Sequence, residues 1–254
     1  MPNVLITHIT LTITKSMRWR PWKGLFAGKV VFDAFAQLGI EPDFPFKVHP
    51  PEKLSSELKP GTDVEFSVTF WGTKVSEIPS LLLEGLMALD YVMPKMVNVE
   101  ELEERFEPLE GSQEPIAVLF EVDHLPTYYR FHGAYVPFPS ARRMVLSAFK
   151  KVSEAFNEEL KELAEEIAPK LEVVGGNFSK RIYKISHGQE VPAFAGKVKY
   201  YGILSEKEAL NLLKVLELSK HLGLGQGGTM GFGTVKSIKL LKPSWETPVK
   251  VLSP

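Results

Sequence analysis

The chain has 254 residues, 44% of them hydrophobic, so it can bury a substantial core in one large or two small domains. A formal net charge of −1 gives no global signal of nucleic-acid binding, so an RNA site would need local clustering of cations. The lack of cysteine excludes disulfides and thiolate metal sites. Neither a leader nor a membrane-spanning apolar run is recognised, which predicts a cytoplasmic protein with no membrane partner.

The first half of the chain shows strand and helix periodicities in turn. The predicted elements are, in chain order, a strand over 4–14, a helix over 25–38, strands over 44–49 and 64–71, a helix over 76–89, and a weaker strand over 96–101 or 105–109. This order, β-α-β-β-α-β, is that of the ferredoxin-like unit.

The second half repeats that order after turn residues at 108–115, which predicts domains over 1–110 and 115–254. The predicted elements are a strand over 116–122, a hairpin over 128–138, a helix over 140–168, strands over 178–185 and 191–201, a helix over 205–222 and a strand over 234–241. Val68–Gly72 and Val198–Gly202 are similar segments 130 residues apart, and a serine that can cap a helix follows each. The sequence therefore predicts an α+β fold of two tandem ferredoxin-like domains.

A glycine-rich stretch, His221–Lys236, is the strongest site signal. Its six glycines provide positions where the backbone can take positive φ or approach a ligand closely: Gly223, Gly225, Gly227, Gly228, Gly231 and Gly233. A GxGxxG pattern is present, but the predicted helix precedes it and the predicted strand follows it. That order is the reverse of a dinucleotide-binding motif, and no Gly-Lys-Ser/Thr closes a Walker loop. The stretch predicts a binding site of another kind.

Further motifs precede the glycine-rich stretch. They are Ser179-Lys180-Arg181, Ala195-Gly196-Lys197-Val198 and Tyr201-Gly202. Over roughly residues 175–240, this order and spacing resemble the C-terminal domain of the CRISPR RNA-processing endoribonuclease family, within the CRISPR-associated RAMP superfamily. Gln226 stands where relatives often have lysine, which leaves phosphate contact there to backbone amides.

The resemblance implies an activity as well as a fold of two ferredoxin-like domains. It implies binding of CRISPR repeat RNA and cleavage of precursor CRISPR RNA without a metal or another cofactor. In that reaction a ribose 2′-OH attacks the adjacent phosphate and leaves a 2′,3′-cyclic phosphate. The resemblance also implies that subunits of a CRISPR interference complex are possible partners, while the oligomeric state, monomer or homodimer, stays open.

Such a reaction needs a base near the 2′-OH, an acid for the 5′-oxygen and a cation for the developing charge. Histidine is the side chain best suited to proton transfer near neutral pH. The family's histidine commonly lies near the first helix or on the strand after it, which points to His49, with Lys47 and Lys53 as charge stabilisers. A histidine before two prolines at a strand end also fits a purely structural role.

Cations are predicted to contact RNA together with the loop glycines. They fall in a tryptophan-containing loop, at the start of the long helix, on one strand and its turn, and on the last strand: Arg18, Arg20, Lys23, Arg142, Arg143, Lys180, Arg181, Lys184, His187 and Lys236. Cations between aromatic residues suit contact with both phosphates and bases, and the start of a helix favours anions. Taken singly, each cation also fits a solvated surface position.

Two other functions stay open from the sequence. One is a non-catalytic subunit or degenerate paralogue that binds CRISPR RNA without cutting it. The other is a small-molecule enzyme whose glycine-rich stretch holds a nucleotide phosphate. No histidine and carboxylate spacing suggests a metal site, so the sequence predicts none.

Overall fold

The computed structural model describes residues 3–19, 21–72, 75–185, 189–244, 247 and 249–252. The chain divides into two compact units. The first comprises Met1–Glu103, Tyr183–Val191 and Gly227–Phe232. The second comprises Glu104–Ile182, Pro192–Gln226 and Gly233–Pro254. Six residues of the glycine-rich stretch, Gly227–Phe232, thus belong to the first unit, although the residues on either side of them in the chain belong to the second.

The first unit is built on a four-stranded sheet. Its elements are β1 (Asn3–Ile13), β2 (Met17–Arg18), α1 (Lys23–Gln37), β3 (Phe46–His49), β4 (Glu57–Leu58), β5 (Asp63–Gly72), α2 (Ile78–Ala88) and β6 (Val92–Glu101). The strand order is β3-β5-β1-β6, and β2 and β4 form a separate short pair. The β3, β5 and β6 pairings are antiparallel, which together with the crossovers through α1 and α2 gives the ferredoxin-like topology.

One face of this sheet carries the core. Apolar residues of α1 and α2, such as Phe26 and Leu82, form a single buried cluster with Phe46, Val48 and the alternating apolar positions of β1 and β5. Side chains alternate between the two faces along a strand. The residues between these core positions therefore point to the opposite face of the sheet.

The second unit repeats the topology. Its elements, of which β10 and β11 run into residues assigned to the first unit, are β7 (Pro115–Thr127), β8 (Tyr129–Phe131), β9 (Ala134–Val136), α3 (Ala141–Phe156), α4 (Lys161–Ile167), β10 (Leu171–Lys184), β11 (Glu190–Ser205), α5 (Glu206–Leu222), β12 (Val235–Leu241) and β13 (Lys250–Val251). The order β10-β11-β7-β12 matches β3-β5-β1-β6 strand for strand. The similar segments Val68–Gly72 and Val198–Gly202 lie on the equivalent strands β5 and β11. The predicted class, α+β with tandem ferredoxin-like folds, is confirmed.

Four element predictions needed correction. The single helix predicted over 140–168 is broken, because Asn157 takes a left-handed conformation (φ 57°, ψ 43°) that ends α3, and α4 begins only at Lys161. The N-cap position of the second helix is Glu77 and not the serine before it, and the Glu77 side chain makes no capping hydrogen bond. Strand β10 begins at Leu171 and not at 178. The sequence does not predict this earlier start, because Gly175 and Gly176 interrupt the alternation of apolar and polar side chains. The weaker strand lies at Val92–Glu101, and residues 105–109 form no strand.

Local sequence explains the start of α5. The Ser205 side chain accepts a hydrogen bond from the Glu208 amide, and the Glu208 carboxylate accepts one from the Ser205 amide. This reciprocal capping box satisfies amides that the helix itself leaves without partners. None of the described helices is both long and apolar enough to cross a membrane.

A buried histidine gives the second unit a predictable pH dependence. His124 is 1% exposed, its Nε2 lies 3.2 Å from the Tyr200 hydroxyl, and burial lowers its pKa to about 3. The unfolded chain, with a histidine pKa near 6.5, binds a proton between these values that the folded chain does not. Stability from this residue is therefore lost as pH falls from about 6.5 towards 3, by roughly 2 kcal/mol at pH 5.

The replacement His124→Gln is expected to remove this dependence. The fall in unfolding free energy between pH 7.5 and pH 5, measured by denaturant titration, should be about 2 kcal/mol smaller in the variant than in the parent protein. Carboxylates titrate alike in both proteins and cancel in the comparison. An equal fall in the two proteins would contradict the assignment of a buried, neutral His124.

Candidate functional site

The glycine-rich stretch is closed at its base by backbone hydrogen bonds within the second unit. The Leu224 amide donates to the Gly233 carbonyl at 2.6 Å, and the Gly233 amide donates to the Pro126 carbonyl at 2.7 Å. Gly233 has φ 74°, and a Cβ there would lie 1.7 Å from the Leu224 carbonyl oxygen. A side chain at this position is excluded both by the backbone conformation and by space. The backbone therefore requires glycine at position 233.

The six residues of this stretch in the first unit, Gly227–Phe232, form what we call the loop tip. A turn of 3₁₀ helix over Gly228–Met230 packs against the first turns of α1. A Cβ on Gly24 would lie 2.6 Å from the Met230 carbonyl oxygen, and one on Gly28 would lie 2.4 Å from that of Thr229. The two helix glycines are four residues apart and so share one face of α1. Their lack of side chains permits this approach.

Lys47 joins the loop tip to strand β3. Its side chain is completely buried, and its Nζ donates to the carbonyl oxygens of Val48 at 2.8 Å and Phe232 at 2.9 Å. A buried ammonium is costly unless polar groups surround it, and these carbonyls supply part of that compensation. The structure thus places this predicted charge stabiliser beneath the loop tip, where it binds backbone.

Three aromatic residues surround the same region. Trp22 donates from Nε1 to the Met230 carbonyl at 3.1 Å, and its ring lies 6.0 Å from that of Phe232. The Tyr183 ring lies 5.5 Å from Trp22 and 5.8 Å from Phe232, in edge-to-face contact with both. Edge-to-face packing is a favoured aromatic arrangement. The aromatic contacts hold the loop tip against the start of α1.

His49 lies two residues after Lys47 on β3 and points to the same face of the sheet. Its imidazole is half-buried, and Nε2 lies 3.0 Å from the Thr69 hydroxyl. The next residue, Pro50, approaches the loop tip, since its Cβ would lie 3.5 Å from a Cβ on Gly231. His49 thus occupies a hydrogen-bonded position beside the loop tip.

A cleft of about 690 Å³ opens beside His49 within the first unit. Its polar lining comes from strands β1, β3, β5 and β6 and from the residues after β3, and includes His8, Thr10, His49, Glu52, Glu65, Ser67 and Asn98. His8 differs from His49 in its partner, because its Nε2 lies 3.0 Å from a Glu100 carboxylate oxygen. The cleft leaves room for a ligand to reach the His49 side chain. Sequence reasoning did not identify His8 or Thr69 as part of this region.

Some of the predicted cations of the first unit contact other protein groups, and others are exposed. Lys23 donates to the Glu52 carbonyl, and Arg18 lies 3.9 Å from a Glu57 carboxylate oxygen. The Lys53 and Lys184 side chains are exposed. The predicted RNA contacts Arg20 and His187 lie outside the described residues.

The predicted cations of the second unit are more exposed. Arg142 and Arg143 occupy the first turn of α3, where the Arg143 amide donates to the Ser140 hydroxyl at 3.3 Å. Both arginines line a cleft of about 480 Å³. Lys180 and Arg181 are exposed on β10, and Lys236 is exposed on β12. No three His, Asp or Glu side chains among the described residues lie close enough together to share a metal ion.

Comparison with known proteins gives consistent results. The family model for the CRISPR-associated endoribonuclease Cas6 matches residues 124–235, which include the glycine-rich stretch up to Val235. A curated protein of that name from Streptococcus thermophilus is 26% identical over 167 residues, which cover 64% of this chain and 63% of the relative. The chain therefore spans less than two thirds of the relative's length.

Solved structures agree over more of the chain. Thermus thermophilus Cas6 aligns with a TM-score of 0.63 at 18% identity, covering 92% of this chain and 97% of that one. A Cas6 product complex aligns with a TM-score of 0.58 at 19% identity, covering 92% and 99%. At these identities the likeness establishes the fold, which both units share with tandem ferredoxin-like proteins.

Proposed function

We propose that the chain is a CRISPR RNA-processing endoribonuclease, which binds CRISPR repeat RNA and cleaves precursor CRISPR RNA at a single phosphodiester. The match of the Cas6 family model to residues 124–235 supports this proposal. The observation that carries this proposal is the position of His49, beside the loop tip and at an open cleft. The reaction takes a proton from a ribose 2′-OH, whose oxygen then forms a bond to the adjacent phosphorus. The bond from phosphorus to the 5′-oxygen breaks, and that oxygen takes up a proton.

His49 is the general base in this proposal. An imidazole can accept the 2′-OH proton near neutral pH, provided that its ring is held towards the substrate. The Thr69 hydroxyl at 3.0 Å restricts the ring orientation. A histidine that is half-buried at a cleft wall, as His49 is, remains accessible to a substrate while its rotation is limited.

The two lysines near His49 take different parts. Lys53 is exposed, so its ammonium can approach the phosphate whose charge increases in the transition state. Lys47 is buried and binds carbonyls, so we assign it the role of positioning the loop tip. No metal ion is required for the steps that these side chains perform.

The proposal is tested by incubating the purified protein with labelled CRISPR repeat RNA in EDTA, alongside an RNA of the same composition in permuted order. A discrete cut in the repeat and none in the permuted RNA is the expected result. Tight binding of the repeat without a cut would instead favour the non-catalytic CRISPR RNA-binding subunit. Equal behaviour towards the two RNAs would contradict the proposal.

The cations of β10 are expected to supply affinity through phosphate contacts. Replacing Lys180, Arg181 and Lys184 together by alanine should weaken repeat binding by more than about tenfold. The triple replacement should also reduce the magnitude of the slope of log K against log salt by about 2. Each phosphate contact with a single strand contributes about 0.7 to that slope through counterion release, and three contacts are lost. The matched control replaces the exposed Lys59, Lys150 and Lys161 by alanine, which removes equal charge elsewhere. The same loss in both triple variants would show a non-specific effect of net charge.

A further inference from the structure

The second unit exposes large aromatic side chains beside cations. Phe131 is 56% exposed and Phe138 is 54% exposed. The Arg143 guanidinium carbon lies 5.3 Å from the centre of the Phe131 ring, and Lys180 Nζ lies 5.2 Å from that of Phe138. A buried aromatic ring stabilises a fold, whereas an exposed one does so weakly. Two exposed aromatic rings, each with a cation over its face, are typical of a surface that binds a ligand.

These residues form one continuous surface. Arg142, Arg143 and Phe138 line the same cleft of about 480 Å³, and Arg143 extends to Phe131 while Lys180 reaches Phe138 from β10. We call these five residues, Phe131, Phe138, Arg142, Arg143 and Lys180, the aromatic–cationic surface. None of them belongs to the group around His49 and the loop tip.

The positive charge of this surface favours a polyanionic ligand over an acidic or neutral protein partner. Among the residues that line the cleft, Glu172 is the only acid, against two arginines, with Lys180 beside them. An anionic ligand with flat apolar groups would satisfy the cations and the rings at once. RNA has both features, because each of its nucleotides carries a charged phosphate and a flat base.

The rings also distinguish between forms of RNA. In a duplex the base faces are stacked within the helix and cannot contact a protein side chain, whereas unpaired bases can stack on an aromatic ring. Stacking contributes about 1–3 kcal/mol per base and depends little on base identity. A duplex would therefore use the cations alone, while an unpaired segment would use cations and rings together.

We propose that the aromatic–cationic surface binds unpaired nucleotides of the RNA substrate. Bases stack on Phe131 and Phe138, and phosphates contact Arg142, Arg143 and Lys180. The inference rests on the proposed function for the identity of its ligand, but it assigns a binding site that shares no residue with the cleavage site.

The test compares ring removal with ring retention. Binding of a labelled oligouridylate of ten nucleotides and of a blunt-ended RNA duplex is measured for the parent protein, for Phe131→Leu with Phe138→Leu, and for Phe131→Trp with Phe138→Trp. The leucine variant should lose at least about tenfold in affinity for oligouridylate and little for the duplex. The tryptophan variant should retain both affinities. Thermal unfolding midpoints of all three proteins should agree, since both rings are largely exposed.

The matched control is Tyr135→Leu. Tyr135 is an exposed aromatic residue whose ring centre lies 5.1 Å from the Arg130 guanidinium carbon. In the β8–β9 hairpin Tyr135 pairs with Arg130 and Phe131 pairs with Ala134, so Tyr135 points to the opposite face of the hairpin from Phe131. Its replacement should leave oligouridylate binding unchanged. A loss in this control equal to that in the leucine variant would contradict the specific surface.

The outcomes separate this inference from the proposed function. If the parent protein cuts the repeat and the leucine variant binds oligouridylate normally, the inference is wrong and the proposed function stands. If the leucine variant loses oligouridylate binding while no protein cuts the repeat, the surface is supported and the proposed cleavage is wrong. With saturating enzyme, the leucine variant should cut the repeat at the parent rate, because ring removal affects binding and not chemistry.

Discussion

Replacing His49 by alanine is expected to lower the rate of repeat RNA cleavage by about 10²–10⁴-fold, the contribution typical of a positioned acid or base. RNA affinity should change little, because the imidazole acts on one proton and the cations supply most of the binding. Single-turnover cleavage with enzyme in excess measures the rate without interference from product release. Affinity is measured in parallel with an RNA that carries a 2′-deoxy sugar at the cut site.

His8→Ala provides the matched control for His49→Ala. Both histidines line the same cleft of the first unit, but Nε2 of His8 lies beside the Glu100 carboxylate and not beside the Thr69 hydroxyl. The His8 variant should retain the parent rate. If His8→Ala abolished cleavage and His49→Ala did not, the general base would be wrongly assigned, although the proposed reaction could stand.

The replacement Lys47→Met is expected to destabilise the first unit by about 3 kcal/mol, because methionine keeps the volume of lysine but donates no hydrogen bond. The carbonyls of Val48 and Phe232 would remain buried without the ammonium, at about 1–3 kcal/mol each. Removal of the buried charge offsets part of this cost. Because the loop tip would lose an anchor, cleavage under native conditions should also fall.

The measurement is the unfolding free energy in denaturant, together with single-turnover cleavage at low temperature. Lys59→Met serves as the control, since Lys59 is exposed and its replacement should change neither quantity. An unchanged stability in Lys47→Met would show that the carbonyls find other donors. In that case the assigned positioning role of Lys47 would be wrong.

Local patterns were sufficient to predict most of the fold. Alternation along β5 and the serine that caps α5 are properties of short segments, and each was placed correctly. The helix break at Asn157 was missed because charged helix-forming residues continue on both sides of it. A left-handed conformation at one residue leaves no periodic signal.

The site was less predictable, since its contacts join distant parts of the chain. The glycine count indicated a binding loop, but Trp22 bonds to Met230 across 208 residues, which no local pattern reports. Alternation on β3 placed Lys47 and His49 on one face. Whether that face was open or buried depended on the loop tip, which covers Lys47 and leaves His49 half-buried.

The chemical form of the cleaved RNA end tests the central claim most directly. Repeat RNA is incubated with the protein in EDTA, and the molecular mass of the upstream fragment is measured by mass spectrometry. The account predicts a 2′,3′-cyclic phosphate on that fragment and a 5′-OH on the other. A fragment ending in a 3′-OH, formed only when a divalent metal is supplied, would contradict attack by the ribose hydroxyl and the role assigned to His49.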